Sequence, residues 1–171
     1  MQLGKNTLKR KSLIPNAYGH IVCCNSNLTS LEENEFIQYV NGHFNCSENQ
    51  LPTLKGAPQF VHGNFDCSRN QLTSLEDAPK RISEDFNCVL NKLTSLNGIP
   101  EYIGGSFYCD NSITLMEMAR VDLGSKVKGK IYRCYKYEYE RETIDKTKCT
   151  RSYYEALIHT SAEEQNDITN I

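Results

Sequence analysis

The chain has 171 residues, of which 23% are charged and 39% hydrophobic, with no Trp and a net charge of −2. No apolar run approaches the roughly 20 residues a membrane helix needs. The N-terminal MQLGKNTLKRKSLIP has basic residues but no apolar stretch after them, so it does not read as a secretory leader and a cytoplasmic location is expected.

The charge is unevenly placed. Residues 1–19 carry four basic and no acidic groups, residues 20–115 five basic and eleven acidic, residues 116–151 ten basic and six acidic, and residues 152–171 four acidic with no Lys or Arg. An acidic middle between basic flanks disfavours nucleic acid as the partner of that middle. Residues 1–20 read as an N-terminal cap, with Leu8, Leu13 and Ile14 available to cover the neighbouring segment.

From residue 21 the chain repeats itself. The segments IVCCNSNLTSL (21–31), FNCSENQLPTL (44–54), FDCSRNQLTSL (65–75) and FNCVLNKLTSL (86–96) align, and FYCDNSITLME (107–117) keeps the start before decaying. Between them KGAPQFVHGN (55–64), EDAPKRISED (76–85) and NGIPEYIGGS (97–106) align, while EENEFIQYVNGH (32–43) is two residues longer. Cys46, Cys67, Cys88 and Cys109 recur every 21 residues, one per repeat. That is a structural column and not a disulfide framework.

On these residues the chain resembles leucine-rich-repeat proteins, with Phe-x-Cys in place of Leu-x-Leu, and most of all bacterial and bacteriophage repeats of the FDCSxNQLTSLEGAP type. The resemblance implies a leucine-rich-repeat-like solenoid of short parallel strands, about five coils of roughly 21 residues, spanning 21–112 and followed by an α+β C-terminal cap at 113–161 and a flexible tail at 162–171. It also implies a bacterial or infected-host setting, where a small intracellular inhibitor of a host protein, of anti-defence type, would fit.

Each position has a physical task. Phe and Cys alternate at period two, so both face the interior of a short strand. Leu51/Leu54, Leu72/Leu75 and Leu93/Leu96 continue the lining. Asn49, Asn70 and Asn91 sit where an amide can bond the backbone of neighbouring coils. Pro58, Pro79 and Pro100 fix φ on a convex return path, and Phe60/Val61, Ile82 and Tyr102/Ile103 close the core from that side.

In the cap, LMEMARVDLG (115–124) predicts a short helix ended by Gly124. Alternation through KIYRCYKYEYERE (130–142) predicts one Tyr-rich strand, turned by TIDKTK (143–148). A capping box from Ser152 to Glu155 predicts a helix over 152–160.

For function, the side chains flanking the inward Phe and Cys should face out on a concave surface. These are His20, Val22 and Cys24 in the first coil and His43, Asn45 and Ser47 in the second. Asn64, Asp66 and Ser68 follow, then Asp85, Asn87 and Val89, then Ser106, Tyr108 and Asp110, with the carboxylates toward one end. From the second coil onward this surface is the expected partner-binding face. Arg133, Tyr135, Tyr137 and Tyr139 form a second candidate contact, since Tyr and Arg concentrate at interaction hot spots.

The expected function is therefore a non-enzymatic protein–protein interaction module, acting as a monomer or as a homodimer through the C-terminal strand. No catalytic motif, metal set or cofactor signature occurs. Three other readings are kept: nucleic-acid binding through the basic Tyr-rich element, a thiol enzyme using Cys134 or Cys149 with His159, and metal binding or pH sensing by the His20 and His43 pair.

Overall fold

The computed structural model describes residues 15–32, 37–135, 141–153 and 155. Leu8, Leu13 and Ile14, the tail at 162–171, Tyr137, Tyr139 and His159 lie outside the described residues.

The first coil contributes β1 (Ile21–Val22). Each of the next four contributes two short strands: β2 (Tyr39–Val40) and β3 (Phe44–Asn45), β4 (Phe60–Val61) and β5 (Phe65–Asp66), β6 (Arg81–Ile82) and β7 (Phe86–Asn87), then β8 (Tyr102–Ile103) and β9 (Phe107–Asp110). Helices α1 (Leu115–Arg120) and α2 (Leu123–Lys126) follow, then β10 (Ile131–Cys134) and β11 (Arg141–Ile144). The result is a parallel β-solenoid of about five turns with helices near its C-terminal end.

Two sheets run along the solenoid. The first has seven strands in the order β1-β3-β5-β7-β9-β10-β11, and the second has four in the order β2-β4-β6-β8. Register follows the repeat: Phe44 lies opposite Phe65, Phe65 opposite Phe86, and Phe86 opposite Phe107. The return path, expected to be a convex arc with no strand ladder, thus carries a parallel sheet of its own. Its two-residue strands send Val40, Val61, Ile82 and Ile103 into the core. They turn Tyr39 and Phe60 outward, stacked at 4.9 Å, with the Arg81 guanidinium 3.8 Å over the Tyr102 ring.

The core is a set of columns. Phe44, Phe65, Phe86 and Phe107 are buried and stack at centroid distances of 5.5, 5.6 and 5.3 Å. Full burial of such a ring contributes about 1.5–3 kcal/mol. The Cys column is buried beside it, all its thiols free. Its S–H groups donate across coils, from Cys23 to the Asn45 carbonyl and from Cys88 to the Tyr108 carbonyl, both at 3.3 Å. A small apolar side chain with a weak donor suits a slot that ends against a neighbouring carbonyl.

The Asn column stitches the turns. The Asn70 amide donates to the carbonyls of Cys46, Cys67 and Ser68 and accepts from the Leu51 N–H at 3.0 Å. Asn49 and Asn91 repeat the pattern. One residue earlier, Glu48, Arg69 and Leu90 adopt φ of 55°, 54° and 56°. This left-handed step turns the chain out of the first sheet.

The C-terminal cap continues the solenoid before closing it. Strand β10 pairs in parallel with β9, placing Ile131 opposite Phe107, and Val127 bridges to Ile103 at the edge of the second sheet. The single strand expected over 130–142 is instead two strands: β11 returns antiparallel to β10, with Cys134 opposite Arg141. No Gly, Pro or Asn marks that reversal, so alternation in the sequence runs across it.

Gly124 does not end the first helix. Helix α1 is capped by Thr114, whose hydroxyl accepts from the Glu117 N–H, and it ends at Val121, followed by Asp122 at φ 53°. Asp122 takes the left-handed position expected of the glycine. Gly124 lies inside α2, where a Cβ would come 2.5 Å from the Lys146 carbonyl oxygen.

The predicted capping box is also displaced. Helical backbone begins at 151, the Thr150 hydroxyl accepts from the Tyr153 N–H at 3.3 Å, and Glu155 pairs with the Arg151 side chain at 2.8 Å.

Candidate functional site

The outward face of the first sheet carries the sequence-predicted residues in three rows. The row before each strand is His20, His43, Asn64, Asp85 and Ser106. Each side chain accepts a hydrogen bond from the backbone of the next coil. His43 N–H donates to His20 Nδ1 at 2.9 Å, Asn64 N–H to His43 Nδ1 at 2.8 Å, and Asp85 N–H to Asn64 Oδ1 at 2.9 Å. Ser106 N–H donates to Asp85 Oδ1 at 2.7 Å and Lys130 N–H to Ser106 Oγ at 3.2 Å. The approach requires Gly42 and Gly63, where a Cβ would collide with His20 Nδ1 and His43 Nδ1 respectively.

The two imidazoles stack at 4.5 Å with planes 4° apart. Because each Nδ1 accepts an amide proton, the neutral ring carries its own proton on Nε2. A metal would need one of these nitrogens with its lone pair free, and the coil uses both lone pairs. Among the described residues no group of three His, Cys, Asp or Glu converges as a metal site.

The middle row is Val22, Asn45, Asp66, Asn87, Tyr108 and Tyr132. Asn45, Asp66 and Asn87 accept from the N–H two residues on, at 2.9, 2.9 and 3.2 Å, closing Asx turns. Val22 is 57% exposed. Tyr108 stacks on Tyr132 at 4.9 Å, and the Arg141 guanidinium lies 4.8 Å over the other face of Tyr132. Both faces of that ring are thereby covered, which leaves it no platform for a nucleobase. Burial, then the charge of Asp85, raises the Tyr108 hydroxyl above its ordinary pKa.

The third row departs from expectation. Ser47, Ser68 and Val89 are buried, not displayed. The left-handed step at Glu48, Arg69 and Leu90 starts directly after them and tucks them beneath the Asx turns. Cys24 and Asp110 of this row are partly exposed. The Asp110 carboxylate accepts from the Leu90 N–H at 2.7 Å and the Asn91 N–H at 3.1 Å, so a side chain takes the part that the Ser68 and Val89 backbone carbonyls play for Glu48 and Arg69.

Where β9, β10 and β11 meet, the face deepens into a half-open cup of about 280 Å³. Val89 and Cys134 are its buried floor. Tyr108 and Tyr135 form walls, and Asn87, Leu90, Asp110 and Arg141 the rim. Arg133 is held by Glu142 at 2.7 Å, which raises the guanidinium pKa and lowers that of the carboxyl. The Tyr135 hydroxyl donates to the same carboxylate at 3.3 Å. Sequence reading placed Tyr108, Asp110, Asn87, Val89 and Tyr135 on a binding surface, singled out Cys134 only as a candidate nucleophile, and did not find Leu90 or Arg141. Arg141 reaches the cup through the chain reversal that the sequence does not mark.

Apart from Cys24, the thiols are set deep. Burial pushes those of Cys46, Cys67, Cys88 and Cys109 upward, and that of Cys149 up to about 11. Cys149 Sγ rests against Met118 Sδ at 3.8 Å and Cys134 is buried as well.

No family model, characterised protein or solved structure matches the chain. The class its fold defines is the parallel β-solenoid. No helix among the described residues is long and apolar enough to cross a membrane.

Proposed function

We propose that the chain is a non-enzymatic protein-binding module that engages its partner through the outward face of the first sheet, centred on its C-terminal end. The observation that carries this is the break in the middle row. Asn45, Asp66 and Asn87 close turns of their own coils. Tyr108 and Tyr132 close none and instead form a partly exposed stacked pair beside a cup with a buried apolar floor. Aromatic residues over a desolvated floor with a polar rim are the composition of an interface centre. On the repeat resemblance, a small inhibitor of a host protein is the form such a module takes.

Affinity capture from bacterial lysate at low salt tests this with three chains: wild type, a Tyr108→Ala/Asp66→Lys variant of the open face, and a Tyr39→Ala variant of the opposite sheet. A specific partner retained by the first and third and lost by the second supports the proposal. No specific partner, or retention indifferent to the open-face changes, overturns it.

A further inference from the structure

The cup beside Arg141 narrows the chemistry of the partner, given the protein-binding reading above. We propose that it receives an acidic-aromatic segment of the partner, with an aromatic side chain between Tyr108 and Tyr135 and a neighbouring carboxylate on Arg141.

The floor, Val89 and Cys134, is buried and offers a guest no charge. Two tyrosine walls over such a floor suit a flat ring, through offset or edge-on ring contacts as well as area. The Tyr135 wall is steadied by its hydroxyl bond to Glu142.

Arg141 supplies the polar preference. Its guanidinium is exposed and lies over Tyr132, and among the described residues no carboxylate comes within ion-pair distance of it. Asp110 on the same rim has both oxygens committed to backbone N–H groups. Arg141 is thus the charge left to meet a guest, and it is complementary to an anion. Asp110 shares the rim with this cation, and Glu142, whose carboxylate steadies Tyr135, is the next residue along β11. Their repulsion grows with the guest's charge, so a carboxylate is tolerated better than a phosphate dianion or a polynucleotide. A planar guanidinium also matches a carboxylate in a bidentate pair.

The test is an amide-resolved NMR titration of the full chain with N-acetyl-glutamyl-phenylalanine amide. The glutaminyl-phenylalanine and glutamyl-alanine counterparts serve as controls. The expected result is shifts confined to the surroundings of Leu90, Tyr108 and Tyr135, with the first peptide binding about threefold tighter than the glutaminyl one. The alanine peptide binds weakest, and Arg141→Gln erases the acid preference without moving the melting temperature. Equal affinity for acid and amide, an acid preference that survives Arg141→Gln, or no shift at the cup overturns the proposal. Capture of a partner that needs Tyr108 and Asp66 yet ignores Arg141→Gln also overturns it, while leaving the protein-binding reading standing.

Discussion

His43 receives the Asn64 backbone N–H on Nδ1 at 2.8 Å, and its ring in turn stacks on His20. The pair of histidines is therefore part of the coil-to-coil ladder, continued by Asn64, Asp85 and Ser106 with other acceptor side chains. Since Asn already serves one coil later, His43→Asn should lose less than about 1 kcal/mol, whereas His43→Leu strands the Asn64 N–H and should cost about 1–3 kcal/mol. Urea unfolding of the two variants checks this. Equal losses would mean that the ring's packing, and not its acceptor nitrogen, matters.

The Asn column makes a related claim. Asn70→Leu strands the Leu51 N–H in a buried turn and takes one donor from each of three carbonyls, those of Cys46, Cys67 and Ser68, which keep the Asn49 amide, the Asn91 amide and the Glu48 N–H. A loss of about 1–3 kcal/mol is expected, and Asn70→Asp should not rescue it, because the acid keeps the acceptor for Leu51 but turns a buried carboxylate oxygen toward the carbonyls the amide had bonded. Denaturant midpoints measured beside the exposed control Gln71→Ala provide the comparison.

Thiol accessibility should follow the columns. Cys24 is partly exposed, whereas Cys46, Cys67, Cys88 and Cys109 are fully buried with their thiol pKa raised by burial. In the native protein an alkylating reagent should modify Cys24 first and the column at least ~100-fold more slowly, through opening of the coils. Peptide mass mapping over time resolves the order. Early labelling of Cys67 or Cys88 would contradict the stacked core.

The parts of this fold that could be read from sequence are those where every coil makes the same contact. Phe65, Cys67, Asn70 and Leu72 each have equivalents 21 residues away, and one physical reason serves all copies. The second sheet was hidden because Arg81–Ile82 and its neighbours are only two residues long, too short for alternation to register. Burial of Ser47, Ser68 and Val89 depends on left-handed turns at Glu48, Arg69 and Leu90, residue types that do not advertise that conformation. The cup was half legible. Tyr108 and Asp110 follow from the repeat, while Arg141 arrives by a reversal without turn residues.

The last prediction concerns how the cap is held. The Glu117 carboxylate accepts from the Leu96 N–H at 2.6 Å and from the Arg120 guanidinium at 2.7 Å, and Arg120 reaches the Asn97 side chain at 2.8 Å. This cluster fastens α1 to the last full turn of the solenoid. The Arg120 hydrogen bond, aided by the Leu96 N–H, holds the Glu117 carboxyl below its ordinary value of 4.5. A carboxyl lowered in the folded state contributes stability that is fully present above that value and is lost as the pH falls through the folded pKa. Glu117→Gln keeps an acceptor for Leu96 but removes the charge, so it should cost about 1–2 kcal/mol at pH 7. Its deficit should shrink steadily below pH 4.5, as wild-type Glu117 takes up its proton. Unfolding free energies of both chains across that acid range give the difference directly. A deficit independent of pH would show that α1 is held by the packing of Met118 and Leu123 and owes nothing to the charge.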